Sequence, residues 1–210
     1  MFEGPFDESI IKRAQEKDLV QITIRDLRKW GLDDRRTVDD RPYGGGPGMI
    51  LRIDVIDAAI FDLRSKIKDH KSKIILLDAA GEKFTQQKAQ ELAKFEHLIL
   101  IAGHYEGVDH RIHEHLVDEV VSIGNYVLTG GELPAMVLVD SIVRLLPGVI
   151  KPESLTEESF SSLKIKNCKL KINTEYPQYT RPEEYRGWKV PKILLSGNHK
   201  EIKNWRQAGQ

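Results

Sequence analysis

Cysteine is nearly absent: Cys168 is the one such residue in 210, so no disulfide can close within the chain. An excess of charge of one sign is absent too. Lysine plus arginine and aspartate plus glutamate each count 32, which excludes the global positive field of a protein that coats nucleic acid and confines any RNA contact to a local patch. No run of about eighteen apolar residues and no charged-then-apolar leader stands in the sequence, so nothing indicates membrane insertion or secretion, and a cytoplasmic location is expected. What remains is ordinary in bulk. Hydrophobic residues make up 40%, ample for a core, and the length suits one large domain with at most a small appendage.

The apolar residues are arranged with two periods. Ile56, Ile60, Leu63 and Ile67 recur at helical spacing behind Asp54, which is expected to cap that helix. Short apolar runs at 74–77, 98–101 and 119–121 then alternate with polar helices predicted around 85–95 and 109–116. This alternation means an α/β fold with a mainly parallel sheet. The three runs are followed by Ala79-Ala80-Gly81, Ala102-Gly103 and Gly124, so three small-residue loops are expected at the carboxyl ends of strands, where open α/β sheets bind ligands. A further helix, predicted over 133–146, is apolar nearly all round; by pattern alone a core helix is favoured over a subunit interface. Residues 1–150 form one expected domain. Residues 151–175 shift to Ser, Glu, Lys and Asn as a linker does, and 176–210 begin a second, smaller domain. Within the linker, LKIKNCKLKI (163–172) reads either as a basic strand pair touching RNA or, preferred, as a tolerated low-complexity insertion.

Three blocks carry the chemistry. SIGNYVLTGGELPAM (122–136) runs from a strand end through Gly130-Gly131 to a helix opened by Pro134, which suits a first turn because its missing N–H costs nothing there. RTVDDRPYGGGPGM (36–49) sets arginines and acids around a glycine run, and GHYEGVD (103–109) follows the second sheet strand. Together and in this order they closely resemble the bacterial tRNA (guanine-N1-)-methyltransferase family, with the resemblance running from about residue 36 to 147 and resuming at YTRP (179–182) and VPKILLSGNH (190–199).

That resemblance implies a SPOUT-type fold with a deep trefoil knot, an outcome no periodicity shows and general topology rules disfavour. It implies an obligate homodimer with the site between subunits, which turns the 133–146 helix toward an interface, and it implies tRNA as partner. It implies S-adenosylmethionine as cofactor, its adenine read by the backbone of Gly103, Ile123, Gly124, Tyr126 and Leu128 within a loop that includes Asn125, Val127, Gly130 and Gly131, with walls from Tyr105, Leu133 and Pro134. Arg36, Asp40, Arg41, Tyr43, Gly45 and Gly46 are implied to meet the target nucleotide and its phosphates; arginine forks suit both. Guanine N1 holds a proton at neutral pH and is a poor nucleophile, so its methylation needs a base near N1–H and a positive group near O6. Arg144 matches the family arginine given the second role; a structural ion pair is its alternative. The family's base is an aspartate before Ser-Phe. Here Glu158 stands before Ser159-Phe160, with Glu157 the alternative if the alignment slips by one.

Two other readings follow from the residues. His110, His113 and Glu114 share a helical face beside His115 and His104, as a metal-dependent hydrolase would require; no metal site is assigned on this ground. A cofactor- or RNA-binding remnant is the other. Set against the family pattern, the chain is expected to be shortened at both ends, lacking a first strand and the last helices of an α-helical C-terminal domain.

Overall fold

Ile74, Ile75, Leu76 and Leu77 are all buried, and in the computed structural model they form the middle of a three-stranded parallel sheet. The chain is described throughout except for residues 3, 68–70, 157, 161–163, 167–168, 172–175 and 209–210. It divides into two units, Met1–Ile150 and Lys151–Gln210. The first unit holds, in order, α1 (Ser9–Glu16), a short 3-10 turn (Leu27–Trp30), β1 (Asp39–Asp40), β2 (Ile50–Leu51), α2 (Ile53–Lys66), β3 (Ser72–Lys83), α3 (Gln86–Leu92), β4 (His97–Ala102), α4 (His110–His115), β5 (Glu119–Ser122) and α5 (Glu132–Val143). The second holds α6 (Pro152–Thr156), β6 (Lys164–Lys166), β7 (Lys169–Lys171), β8 (Glu184–Tyr185), β9 (Trp188–Lys189), α7 (Lys192–Leu195) and α8 (His199–Ala208).

The sheet order is β4-β3-β5, all parallel. Its central strand is covered on both faces, which is why it reads as an unbroken apolar run rather than an alternating one. Side chains of a strand alternate between faces. Ile74 and Leu76 accordingly pack with Val55, Ile56 and Ile60 of α2 and Ile112 of α4, while Ile75 and Leu77 pack with Ala89 and Leu92 of α3 and Ala135, Leu138 and Ile142 of α5. A third cluster joins Phe6, Ile11 and Ala14 to Val143, fastening α1 to α5. Thus α5 is clamped between the sheet and α1, and its Leu133 and Val137 stay exposed at 45% and 43%.

Several boundaries differ from expectation for identifiable reasons. The first sheet strand does not stop at Leu77: it bulges through residues 78–81, and pairing resumes as Glu82↔Val121 and Lys83↔Ser122. A side chain at Gly81 would sit 2.5 Å from the backbone nitrogen of Val121, so the bulge depends on glycine. Asp54 is not the cap of α2. Arg52 holds that position, and Asp54 lies in the first turn, where it accepts Arg52 Nε at 3.0 Å and Nη2 at 2.7 Å and favours the positive end of the helix dipole. The helix expected to reach residue 146 ends at Val143, after which Leu145 and Leu146 donate to carbonyls three residues back, tightening the last turn. In the second unit, Lys164–Lys166 and Lys169–Lys171 of the insertion expected over 163–172 form an antiparallel pair with register Lys164↔Lys171, Ile165↔Leu170 and Lys166↔Lys169. Cys168 lies outside the described residues. Among those described, no helix is long and apolar enough to cross a membrane.

Leu138 is fully buried between α5 and the sheet, whereas Phe61 on α2 is 76% exposed. Leu138→Ala is expected to lower unfolding free energy by about 2–5 kcal/mol. Phe61→Ala should stay within about 0.5 kcal/mol of the parent, both read by urea denaturation.

Candidate active site

The bulge after Leu77 in β3 and the loops after Ala102 and Ser122 line one cleft, which takes in Leu77–Ala79, Gly103–Gly107, Val121–Gly124, Tyr126–Gly131 and Pro134. The loop after β5 returns against the end of β4. Gly131 N donates to Gly103 O at 2.7 Å, and His104 bridges Gly130 in an isolated antiparallel pair. A Cβ on Gly131 would lie 2.6 Å from Ala102 Cα and 2.7 Å from Gly103 N, so the return path admits only glycine there. Ser122, the buried polar residue of the sheet end, donates its hydroxyl to Gly124 O at 3.1 Å and receives Gly124 N at 3.3 Å. Tyr126 folds back to donate to Ile123 O, its ring lying over Gly124. Tyr105 adopts a left-handed backbone, φ 59°, and meets His104 edge-on at 4.7 Å.

Of the residues expected to hold a cofactor, Gly103, Tyr105, Ile123, Gly124, Tyr126, Val127, Leu128, Gly130, Gly131 and Pro134 line this cleft. Asn125 and Leu133 do not; both are exposed next to it. Two polar residues of the lining, Asp78 and Glu106, and Glu132 beside it were not singled out by the pattern. Asp78 accepts Ala80 N at 2.8 Å on one oxygen and lies 3.2 Å from His113 Nε2 on the other, tying the bulge to α4. Glu106 covers Gly48. Glu132 places Oε1 3.7 Å from His104 Nδ1, while its Oε2 is buried with no hydrogen-bond partner among the described residues. The signal for Glu132 was an acid in the first turn of a helix, a placement too common to mark a site.

The glycine-rich loop leaves a two-residue hairpin, Asp39↔Leu51 and Asp40↔Ile50. Its glycines 44, 45, 46 and 48 all have positive φ. Both ends are held. Asp40 accepts Arg52 Nη1 at 3.0 Å and Arg41 N at 2.8 Å. At the far end Glu106 N donates to Met49 O, Leu51 N to Gly107 O and Asp109 N to Leu51 O, each at 3.0 Å. The loop is therefore stitched to the second wall of the cleft. Arg36 sits on an exposed turn at φ 54°, and Arg41, Tyr43, Gly45 and Gly46 are exposed. Asp40 is engaged in holding the loop.

Arg144 is half-buried at the C-cap of α5 in the first unit, and Glu158 is half-buried in the second. Glu157 lies outside the described residues. His110 and His113 do stack, with centroids 5.1 Å apart, and His110 Nε2 is 3.8 Å from Glu114. Among the described residues, however, no group of three or more His, Cys, Asp or Glu is placed to hold a metal ion.

An open parallel sheet whose three end loops close on one glycine-lined cleft defines a class of α/β proteins that take a small ligand at the sheet's carboxyl edge. The chain belongs to the tRNA (guanine-1)-methyltransferase TrmD family, whose pattern it matches over residues 1–210. It is 52% identical to the tRNA (guanine-N(1)-)-methyltransferase of Bacillus subtilis strain 168 over 207 residues, covering 98% of this chain and 81% of that one. It is 51% identical to the protein of the same name from Dictyoglomus turgidum over 208 residues, covering 99% and 79% respectively.

Between the second wall and α4, Asp109 accepts Arg111 Nε at 2.9 Å, Nη2 at 2.7 Å and the backbone N at 3.0 Å. The guanidinium hydrogen bond is the main cause that holds its carboxyl below the ordinary aspartate range, against an opposing effect of burial. A depressed carboxylate contributes stability that is present above its unfolded pKa, about 3.9, and is lost as pH falls through the lower folded value. The parent should therefore be more stable than Asp109→Asn at pH 7, with the gap narrowing below about pH 4 in urea denaturation series.

Proposed function

We propose that this protein transfers the methyl group of S-adenosylmethionine to N1 of guanosine-37, the guanosine on the 3′ side of the anticodon, in tRNA. The observation that carries the reading is the three-loop cleft itself, built from the sequence blocks of a family whose relatives share about half their residues with nearly the whole chain. A tRNA-modifying role fits a cytoplasmic location. The trefoil knot of the SPOUT fold is our reading of the segment 123–131, and its support is the tight return against residues 102–104.

The loops suit the cofactor. Backbone N–H and C=O groups of Gly103, Ile123, Gly124, Tyr126 and Leu128 are the groups we assign to the adenine, with Tyr105 and Pro134 as walls, Val127, Gly130 and Gly131 completing the lining, and Asn125 and Leu133 exposed beside it; small residues there let a ligand approach main chain directly. Bound S-adenosylmethionine supplies an electrophilic methyl on a sulfonium. The chain's own residues must do the rest. Glu158 takes the N1 proton, and Arg144 donates to O6, where charge develops as that proton leaves. Glutamate has nearly the intrinsic pKa of aspartate, about 4.3 against 3.9, but its extra methylene moves the carboxylate by about an ångström, a displacement that can lower a rate roughly a hundredfold. Arg36, Arg41 and Tyr43 engage the nucleotide and its phosphates; Gly45 and Gly46 let the loop backbone close on an extruded base, and Asp40 sets the angle at which the loop departs.

We also infer a homodimer. Leu133 and Val137 of α5 lie exposed, and Tyr126, Val127 and Leu128 of the cleft loop are exposed at 55%, 89% and 37%; a large apolar share of exposed surface in one region marks an interaction surface. Val137→Asp is expected to give monomers in sedimentation velocity and to weaken cofactor binding in calorimetry. A monomeric parent would overturn the dimer.

Transfer of labelled methyl to a tRNA transcript, with 1-methylguanosine identified in the digest, tests the reaction. Arg144→Ala and Glu158→Gln should each lower the single-turnover rate by about a hundredfold or more while cofactor affinity stays within about threefold. Glu158→Asp should match or exceed the parent. A parental rate in Glu158→Gln would place the base elsewhere.

A further inference from the structure

The second unit carries a hairpin that its own packing does not explain. Tyr185 and Trp188 are direct cross-strand partners in β8 and β9, joined by Arg186-Gly187 with φ of 52° and 86°. Two positive φ values at the centre of a two-residue loop belong to the turn whose twist matches that of the strands, so the tip is a closed, preorganised hairpin; Val190 N donates to Glu183 O at 2.9 Å at its base. Directly opposed residues share a face. The two rings lie 6.1 Å apart and tilted by 52°, and the Arg186 guanidinium stands over the Tyr185 ring, 5.2 Å from its centroid. None of this is covered: Trp188 is 71% exposed and Tyr185 53%. The pattern is unlike that of an aliphatic docking face, because every large apolar group is aromatic and the polar group set among them is a planar cation.

Charge decides the kind of partner. Glu184 is paired with Lys189 at 3.4 Å, and Arg186 at the tip is exposed beside the rings, with Arg181 and Lys192 set against Glu183 in the flanking sequence. Aromatic faces with an adjacent guanidinium are the means by which proteins hold unpaired bases, the rings stacking on the base and the cation meeting phosphate. We propose that Tyr185, Arg186 and Trp188 form a stacking platform for an unpaired base of the tRNA substrate. This inference rests on the tRNA reading above.

The test is equilibrium binding of a full tRNA transcript to the full chain, with cofactor affinity and thermal midpoint measured in parallel. Trp188→Ala should weaken tRNA binding by about fivefold or more, the lower end of what stacking one base contributes. Trp188→Phe should recover most of the loss, whereas Trp188→Leu, apolar but without a π-face, should not. Arg186→Gln, which keeps both rings, should weaken binding and make it less sensitive to salt. Cofactor affinity and thermal midpoint should stay at parental values in all four. Trp188→Leu binding tRNA as well as the parent would overturn the platform, as would unchanged binding by Trp188→Ala or a fall in self-association in place of a fall in tRNA affinity. A parent that binds no tRNA would instead overturn the reading on which the platform rests, so the two failures are distinguishable.

Discussion

Two glycine-bearing loops of the first unit meet where Gly131 N reaches Gly103 O at 2.7 Å and no Cβ fits between them. The rest of the cleft depends on it. It brings the end of β5 back over the end of β4, fixes where α5 starts, and thereby places Pro134 at the cleft and Leu138 in the core. A larger residue at position 131 would have to push on backbone, which cannot rotate away as a flexible side chain does, so the contact is a constraint on path rather than an increment of affinity between loops.

The parallel sheet and the helices that alternate with its strands were legible in the sequence. The apolar run Ile74 to Leu77 marks a strand and the spacing of Ile56 and Ile60 a helix; that the helix covers one face of that strand is what the structure adds. The bulge at 78–81 was not legible, because Ala-Ala-Gly is equally at home in a turn; what keeps it in the strand is resumed pairing with Val121 and Ser122, a non-local fact. Asp54 misled for a related reason. An acid near a helix start is favoured both as a cap and in the first turn, and Arg52, two residues away, decides between them by forking its carboxylate. Within 163–172 composition argued for an insertion, and Lys164–Lys166 pairs with Lys169–Lys171 inside it, because period-two patterning can pair strands irrespective of their charge.

Within the candidate site, glycine and proline carried the legible part, since their backbone demands are local and few other residues satisfy them. Side chains whose importance comes from what folds against them stayed hidden. His104 and Glu132 are far apart in sequence and meet only because the cleft loop returns; Asp78 and His113 meet only because β3 and α4 are neighbours. Arg144 and Glu158 are assigned by resemblance and chemistry, and they belong to different units of the chain.

The clamping of the glycine-rich loop at both ends has an entropic consequence. Glycine surrenders more backbone freedom on ordering than any other residue, and a long glycine-rich loop free at one end would charge most of that loss to substrate binding. Here Arg52 anchors Asp40 and the Glu106–Asp109 backbone anchors Met49 and Leu51, so much of the loss has been met during folding and only residues 41–48 retain freedom to give up. Because the far anchor is also a wall of the cleft, whatever steadies Glu106 and Gly107 also steadies the anchored end of the glycine-rich loop.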